Sequence, residues 1–337
     1  MNTTASDSVF DFITKYSLYS SCLILTLGIF GNLLNILVFT KLKIFRSNRS
    51  AFYLTIESIS NLLFLLYIIS LNILIWIYSI DATEYYPIWC KLRYVLLQAL
   101  ILISYSMICC AAIDQYFSTN CRLHFRQVCT LKLTRYVAST LMCIWIAHSI
   151  LFGCFSDIQP GYGCVLSSRI YRQYVTYFVY PVFIGLLPIF TASVFSLLAF
   201  RNVRHIIRRQ SSINRRRLDR QMTTLVLTRV IIFVCLGTPY TSFRIYSLNS
   251  SVPRNKPMIF AIEQLLQCIF TFLIALNSSI SFYIFAICSS RFRRQVKSVF
   301  VKKCWKRWKC VCCSRCPLNF QENQLASHSN MEYEDPN

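Results

Sequence analysis

The chain has 337 residues; 55% are hydrophobic and only 14% charged, yet its formal net charge is +22. A soluble domain holds about 25% charged residues, which argues against a soluble enzyme, and a disordered protein needs low hydrophobicity. A nucleic-acid binder would account for the charge but not for the apolar content, so a polytopic membrane protein remains; only seven glycines weigh against a large turn-rich β-barrel.

Charge-free windows run 16–40, 58–80, 94–113, 136–156, 173–200 and 264–290, and a seventh, 221–243, is interrupted only by Arg229. A helix crossing the hydrocarbon needs about 20 mostly apolar residues. The windows are continuously apolar rather than alternating, which favours helices over membrane strands. The expected architecture is all-α: a seven-helix transmembrane domain over 17–290, with helices near 17–40, 51–78, 88–118, 135–156, 173–203, 216–247 and 257–288. Residues 1–16 precede it. A Cys-rich, basic and finally disordered tail is expected at 301–337. Asp7, Asp11 and Lys15 do not make the positive start of a signal peptide, so the first apolar segment is expected to persist as helix 1.

Lys and Arg set the orientation. Residues 41–50, 115–135, 201–220 and the tail after 290 together hold 26 of the 35 positive residues. That side is expected to be cytosolic, with the N-terminus extracellular at the plasma membrane. Sequons at Asn2 and Asn249 fall on the outer side and are the candidate glycosylation sites; those at Asn48 and Asn277 fall in a cytosolic loop and inside helix 7.

Most of the seventeen cysteines lie in apolar windows as small core residues. Cys90, at the start of helix 3, and Cys164, in the second outer loop, face an oxidising compartment. A bridge between them would pin that loop to the helix; Cys154 is the competitor, and Cys164 is favoured. In the tail, Cys304, Cys310, Cys312 and Cys313 sit among Lys, Arg and Trp. Palmitoylation beside a basic segment fits them better than zinc, which wants paired spacings or histidines.

Taken in order, further residues resemble the rhodopsin-like (class A) G-protein-coupled receptors over nearly all of 15–300. They are Gly31-Asn32, Cys90 followed by Asp114-Gln115-Tyr116, Trp145, Pro188, the helix-6 run Phe233 to Tyr240 with Pro239, and Asn277-Ser278 through Ser281 to Phe285. Ser290 to Arg294 then resembles the family's eighth helix, which implies a short amphipathic eighth helix at 289–300. The resemblance implies a receptor that binds an extracellular ligand and signals by movement of helix 6 to a heterotrimeric G protein, with arrestin as a further partner. No cofactor, metal or nucleic acid is implied, and the chain is not read as an enzyme.

The departures carry their own expectations. Gln115 stands in place of the family's arginine, and Asp219 matches its resting acid, so a Gln–Asp hydrogen bond is expected where the family has an ion pair. Gly237 replaces a tryptophan beneath the ligand pocket, Phe282 the helix-7 proline and Phe285 its tyrosine. Asn61 replaces the helix-2 aspartate of the sodium site, whose other polar positions match Ser104, Asn277 and Ser278; with Asn32 and Ser281 they form the expected polar core. A hard cation there loses its main charged ligand.

Glu57 and Arg229 are ionisable residues inside the hydrocarbon, where such groups are costly and usually paired. A direct or water-bridged pair between helices 2 and 6 stands against an alternative in which Arg229 reaches toward the cytosol and Glu57 bonds locally. At the outer rim, Leu97 matches the position of the amine receptors' aspartate and Ala275 that of the retinal lysine. Arg93, Tyr94, Gln98, Arg244, Glu263, Gln264 and Gln267 offer mixed charge, amides and an aromatic ring that suit a peptide. A receptor with weak or no G-protein coupling is the alternative, and a transporter a more distant one; no internal repeat supports the latter.

Overall fold

A computed structural model describes residues 2–78, 82–120, 129–159, 163–206, 213–249 and 257–299. Seven of its helices are long and apolar enough to cross a membrane. These are α1 (Asn2–Lys41), α2 (Arg49–Tyr78), α3 (Pro87–Thr119), α4 (Leu131–Cys154), α5 (the run Arg169–Arg204), α6 (Ile213–Asn249) and α7 (Pro257–Ser279). Two short helices follow α7, α8 (Ser281–Cys288) and α9 (Ser290–Val299). The bundle is a compact unit that ends at Arg293; the second unit, Arg294–Asn337, is described only as far as Val299.

The chain forms helices because each run must satisfy its backbone polar groups internally where no water is available. Hydroxyls follow the same constraint. Thr55, Thr134, Thr224 and Thr228 each donate to the carbonyl four residues earlier. At the ends, side chains supply the missing acceptors: the Thr130 hydroxyl accepts from the Leu133 N–H at 3.2 Å, and the Ser168 hydroxyl from the Tyr171 N–H at 3.3 Å. Pro87 opens α3 at a position where no N–H is needed.

Several boundaries differ from the sequence expectation. α1 is helical from Asn2 rather than from about 17. α4 stops at Cys154, and the next residues form a hairpin of β1 (Ser156–Gln159) and β2 (Gly163–Leu166), pairing Ser156 with Leu166 and Gln159 with Gly163. Within α5, Val175–Leu186 winds as a π-helix around Pro181, so its backbone bonds reach one residue further back than in an α-helix. The expected single helix 257–288 is bent at Ile280. Ser278 and Ser279 there donate to the carbonyls of Ile274 and Ala275, back-bonding that bends helices. Serines thus introduce a bend next to Phe282.

α3 lies at the centre, packed on α2, α4, α5 and α6, and α7 closes the ring against α1. The seam of α1 with α2 and α7 requires close approach. A Cβ built on Gly28 would lie 2.3 Å from Leu65 Cδ1 and 2.8 Å from Ser279 Oγ, and one on Gly31 3.0 Å from the Ser279 carbonyl. Outward positions on α4 and α5 are apolar and exposed, such as Ile144, Ile150, Leu186 and Phe190, as lipid-facing surfaces require.

Gly28→Val is expected to destabilise the protein by about 1–3 kcal/mol through overpacking. Thermal unfolding in detergent should show a lower midpoint, partly restored by adding Leu65→Ala to open the space that the new side chain occupies. An unchanged midpoint for Gly28→Val would contradict the seam.

Candidate functional site

At one end of the bundle, Cys90 and Cys164 form a disulfide that ties β2 to the first turn of α3. One turn further along α3, the Tyr94 hydroxyl donates to the Cys164 carbonyl at 3.3 Å, and Arg172 holds the Leu166 carbonyl at 2.9 Å. The competing Cys154 is a free thiol. The expected rim residues do not converge on one cavity. Arg93, Leu97 and Gln267 line a recess of about 200 Å³ bounded by α1, α2, α3 and α7. Arg244 instead lies over the Tyr180 ring, 5.4 Å from its centroid, with Nη2 3.4 Å from the phenol oxygen. Gln98 is buried, while Tyr94, Glu263 and Gln264 are half-buried outside that recess.

The middle of the bundle holds a buried polar chain crossing four helices. From α3, Ser104 donates to Asn61 Oδ1 at 2.8 Å; Asn61 Nδ2, on α2, donates to Glu57 Oε1 at 3.2 Å. The same carboxylate oxygen accepts from Arg229 Nε of α6 at 2.6 Å, and Arg229 Nη1 donates to Asn277 Oδ1 of α7 at 2.7 Å. Arg229 is 0% and Glu57 2% exposed, so the pair is direct and fully inside the protein. Arg229 reaches inward to α2 and α7 rather than along the membrane. A second strand of polar contacts joins α1 to the α7–α8 bend: Asn32 donates to the Ser278 carbonyl at 2.9 Å and Asn35 to the Ser281 hydroxyl at 3.0 Å.

Removing two charges from water is expensive, and their attraction offsets that only with good geometry and further hydrogen bonds. Asn61 and Asn277 supply those bonds, one to each partner. Arg229 Nη2 and Asn277 Nδ2 are buried without an acceptor among the described residues.

Toward the opposite end, Asp114 is paired with Arg49 (Nε to Oδ1, 3.0 Å) and accepts from the Ser50 hydroxyl at 2.7 Å. That hydroxyl also lies 3.1 Å from Gln115 Oε1, but it has a single proton to donate, and the carboxylate is the stronger acceptor. Arg49 Nη1 also donates to the Cys129 carbonyl.

The contact between Gln115 and Asp219 differs from the expectation. Gln115 Nε2 reaches the Asp219 backbone carbonyl at 3.1 Å and Thr223 Oγ1 at 2.7 Å, and Thr223 itself donates to the Asp219 carbonyl at 2.8 Å. The α3–α6 contact is therefore made of neutral hydrogen bonds, each about 0.5–1.5 kcal/mol net, rather than a bond to a carboxylate. Thr223 escaped the sequence reading, although it lies one helical turn after Asp219 on the same face. Ser50 and Arg49 escaped it because nothing local announces that the start of α2 meets the end of α3.

Aromatic rings pack around positions 237, 282 and 285. Beside buried Gly237, Tyr105 and Phe233 stack edge to face, with centroids 4.5 Å apart. Phe285 and Phe282 pack against Phe292, which also meets Phe39 near the end of α1 and Phe45 of the short helix Lys43–Arg46. Tyr116 packs on Phe195 of α5, Pro239 lies within α6, and His148 bonds the Tyr174 hydroxyl at 3.2 Å as a core polar group. Asn249 ends α6 with its amide on the Ile245 carbonyl. The Asn2 side chain, the loop-3 arginine side chains at 215–217, and Cys304, Cys310, Cys312 and Cys313 lie outside the described residues. No group of three or more potential metal ligands occurs among the described residues.

No known family model matches the chain, and no curated protein does.

Removing one member of the buried pair strands the other. Arg229→Met alone is expected to destabilise the protein by about 3–5 kcal/mol, and Arg229→Met with Glu57→Leu by clearly less. Thermal unfolding of the two single variants and the double variant gives the coupling directly; strictly additive losses would contradict a direct pair.

Proposed function

We propose that this chain is a seven-helix receptor of the rhodopsin-like kind, set in the plasma membrane with its N-terminus outside. In this reading it binds an extracellular ligand, most simply a peptide, and signals to a heterotrimeric G protein, with arrestin as a second intracellular partner. The observation that carries the reading is the buried chain Ser104–Asn61–Glu57–Arg229–Asn277. It joins α2, α3 and α7 to α6 below Pro239, so a swing of α6 about the proline must disturb it. A force applied at the ligand end would thus be sensed at the Asp114 end through a contact with two alternative arrangements.

The ordered residues along the seven segments support the same reading, as does the Cys90–Cys164 bridge that fixes a hairpin over one end. Orientation rests on the placement of 26 of the 35 Lys and Arg residues on one side. The neutral Gln115–Thr223 contact gives the second reading, a receptor that binds ligand with weak coupling to a G protein.

A peptide-library screen with parallel G-protein and arrestin readouts is the direct test, and peptide-dependent G-protein activation is the expected result. Arrestin recruitment without G-protein activation would favour the second reading, and peptide-driven substrate flux without either would favour a transporter. In the responding system Gln115→Arg should change basal or agonist-driven signalling; unchanged signalling would show that position 115 does not set coupling. Agonist affinity should be insensitive to sodium, because the carboxylate nearest the polar core is already held by Arg229. A large sodium effect would contradict that assignment.

A further inference from the structure

Two arginines of α6 turn into the bundle, and they differ in what faces them. Arg229 meets Glu57. Arg244, toward the disulfide end of the same helix, makes no ion pair among the described residues. Its guanidinium lies 5.4 Å from the centroid of the Tyr180 ring, and Nη2 donates to the Tyr180 hydroxyl at 3.4 Å. Nε is buried without an acceptor among the described residues. Of the five donors of a guanidinium, the described residues thus take one.

A cation withdrawn from water is costly unless an opposite charge or several hydrogen bonds face it. Arg244 lies near the end of the apolar run Leu218–Ser247, where an extended side chain can reach water. It is folded inward onto an aromatic ring instead, which holds the guanidinium in place. Arg244 is half-buried rather than sealed, so a ligand can reach it. The surroundings are phenolic: the Tyr94 hydroxyl of α3 and the Tyr240 hydroxyl of α6 lie within electrostatic reach of the same guanidinium. The Tyr180 hydroxyl accepts from Arg244 and keeps its own proton to donate. Deeper along α6, a Cβ built on Gly237 would lie 3.6 Å from the Phe233 ring and 4.0 Å from the Tyr105 hydroxyl. That hydroxyl is buried without a hydrogen-bond partner among the described residues. α3, α5 and α6 together present one cation and several donors.

We propose that Arg244 receives a carboxylate of the ligand, in a seat bounded by Tyr94, Tyr180 and Tyr240. One guanidinium balances one negative charge, and a carboxylate spans two of its donors at once. A phosphate monoester carries about −1.5 to −2 at neutral pH and would leave excess charge in the same enclosure. The proposal rests on the receptor reading and adds the chemistry of the group that α6 recognises. The carboxylate of a peptide and that of a small organic acid share this chemistry.

Photoaffinity labelling of the full-length protein in lipid nanodiscs tests this. The label is 3-(4-azidophenyl)propionate, and the labelled peptides are identified by mass spectrometry. Label is expected on the segments that hold Tyr94, Tyr180, Tyr240 and Arg244. The competitors are 3-phenylpropionate, N-acetyl-alanyl-phenylalanine and the primary amide of each. Either acid at ten times its Kd should reduce the labelling about tenfold, as the unoccupied fraction sets; the amides at the same concentrations should leave it unchanged. Arg244→Gln should abolish labelling of these segments, and Arg244→Lys should retain part of it. Competition by the peptide acid alone would support a peptide as the source of the carboxylate, and competition by 3-phenylpropionate alone a small organic acid. Label confined to other segments, equal competition by acids and amides, or no label would overturn the proposal. The position of the label on the unsubstituted protein decides this even if an Arg244 variant fails to fold. Signalling is not read, so loss of the G-protein assignment leaves this result intact.

Discussion

An ionised side chain inside a low-dielectric interior persists only next to an opposite charge or a dense set of hydrogen bonds. Arg229 and Glu57 meet that requirement with each other, at 2.6 Å and with almost no exposure. The rest of the interior is arranged around them. Asn61 and Asn277 each bond one member, Ser104 bonds Asn61, and through these contacts α2, α3, α6 and α7 share one polar net. Replacing such a pair by apolar residues is often harmless to stability, so the pair fixes which helices meet more than it adds to the folded state.

The net also reassigns where α6 is held. At the Asp114 end, α3 meets α6 through Gln115, Thr223 and the Asp219 carbonyl, all neutral. Asp114 itself is turned toward Arg49 and Ser50 at the start of α2. A charge-based hold on α6 sits deeper, at Glu57, and reaches α7 through the Arg229–Asn277 bond. Around the α7–α8 bend, phenylalanines 282, 285 and 292 pack ring on ring, and the serines shape the backbone.

Much of this was legible in the sequence because a membrane imposes a coarse code. Continuous apolar windows gave seven helices, and the single charge inside one of them drew attention to Arg229. Glu57, four residues before Asn61, fell on the same helix face, so the partner could be named before the fold was seen. Cys90 and Cys164 were legible as the two outer cysteines. The Gln115 contact was read only in part: residue types at helical spacing reveal faces, but not whether a side chain meets a carboxylate or a backbone carbonyl. The rim residues were the least legible. Arg93 and Gln267 came together while Arg244 turned to Tyr180, because their directions depend on a hairpin and a π-helical stretch that apolar periodicity does not signal.

The buried pair ties α6 to α2, and a distance across the Asp114 end tests this hold most directly. Spin labels placed through unnatural amino acids at the exposed positions 46 and 220 would report the separation of the α1–α2 connection from the base of α6 by pulsed electron paramagnetic resonance, without ligand. Glu57→Gln removes the charge that Arg229 faces while keeping the shape of the side chain. The distance distribution of Glu57→Gln is expected to gain a longer component absent from the unsubstituted protein; identical distributions would show that the pair does not restrain α6.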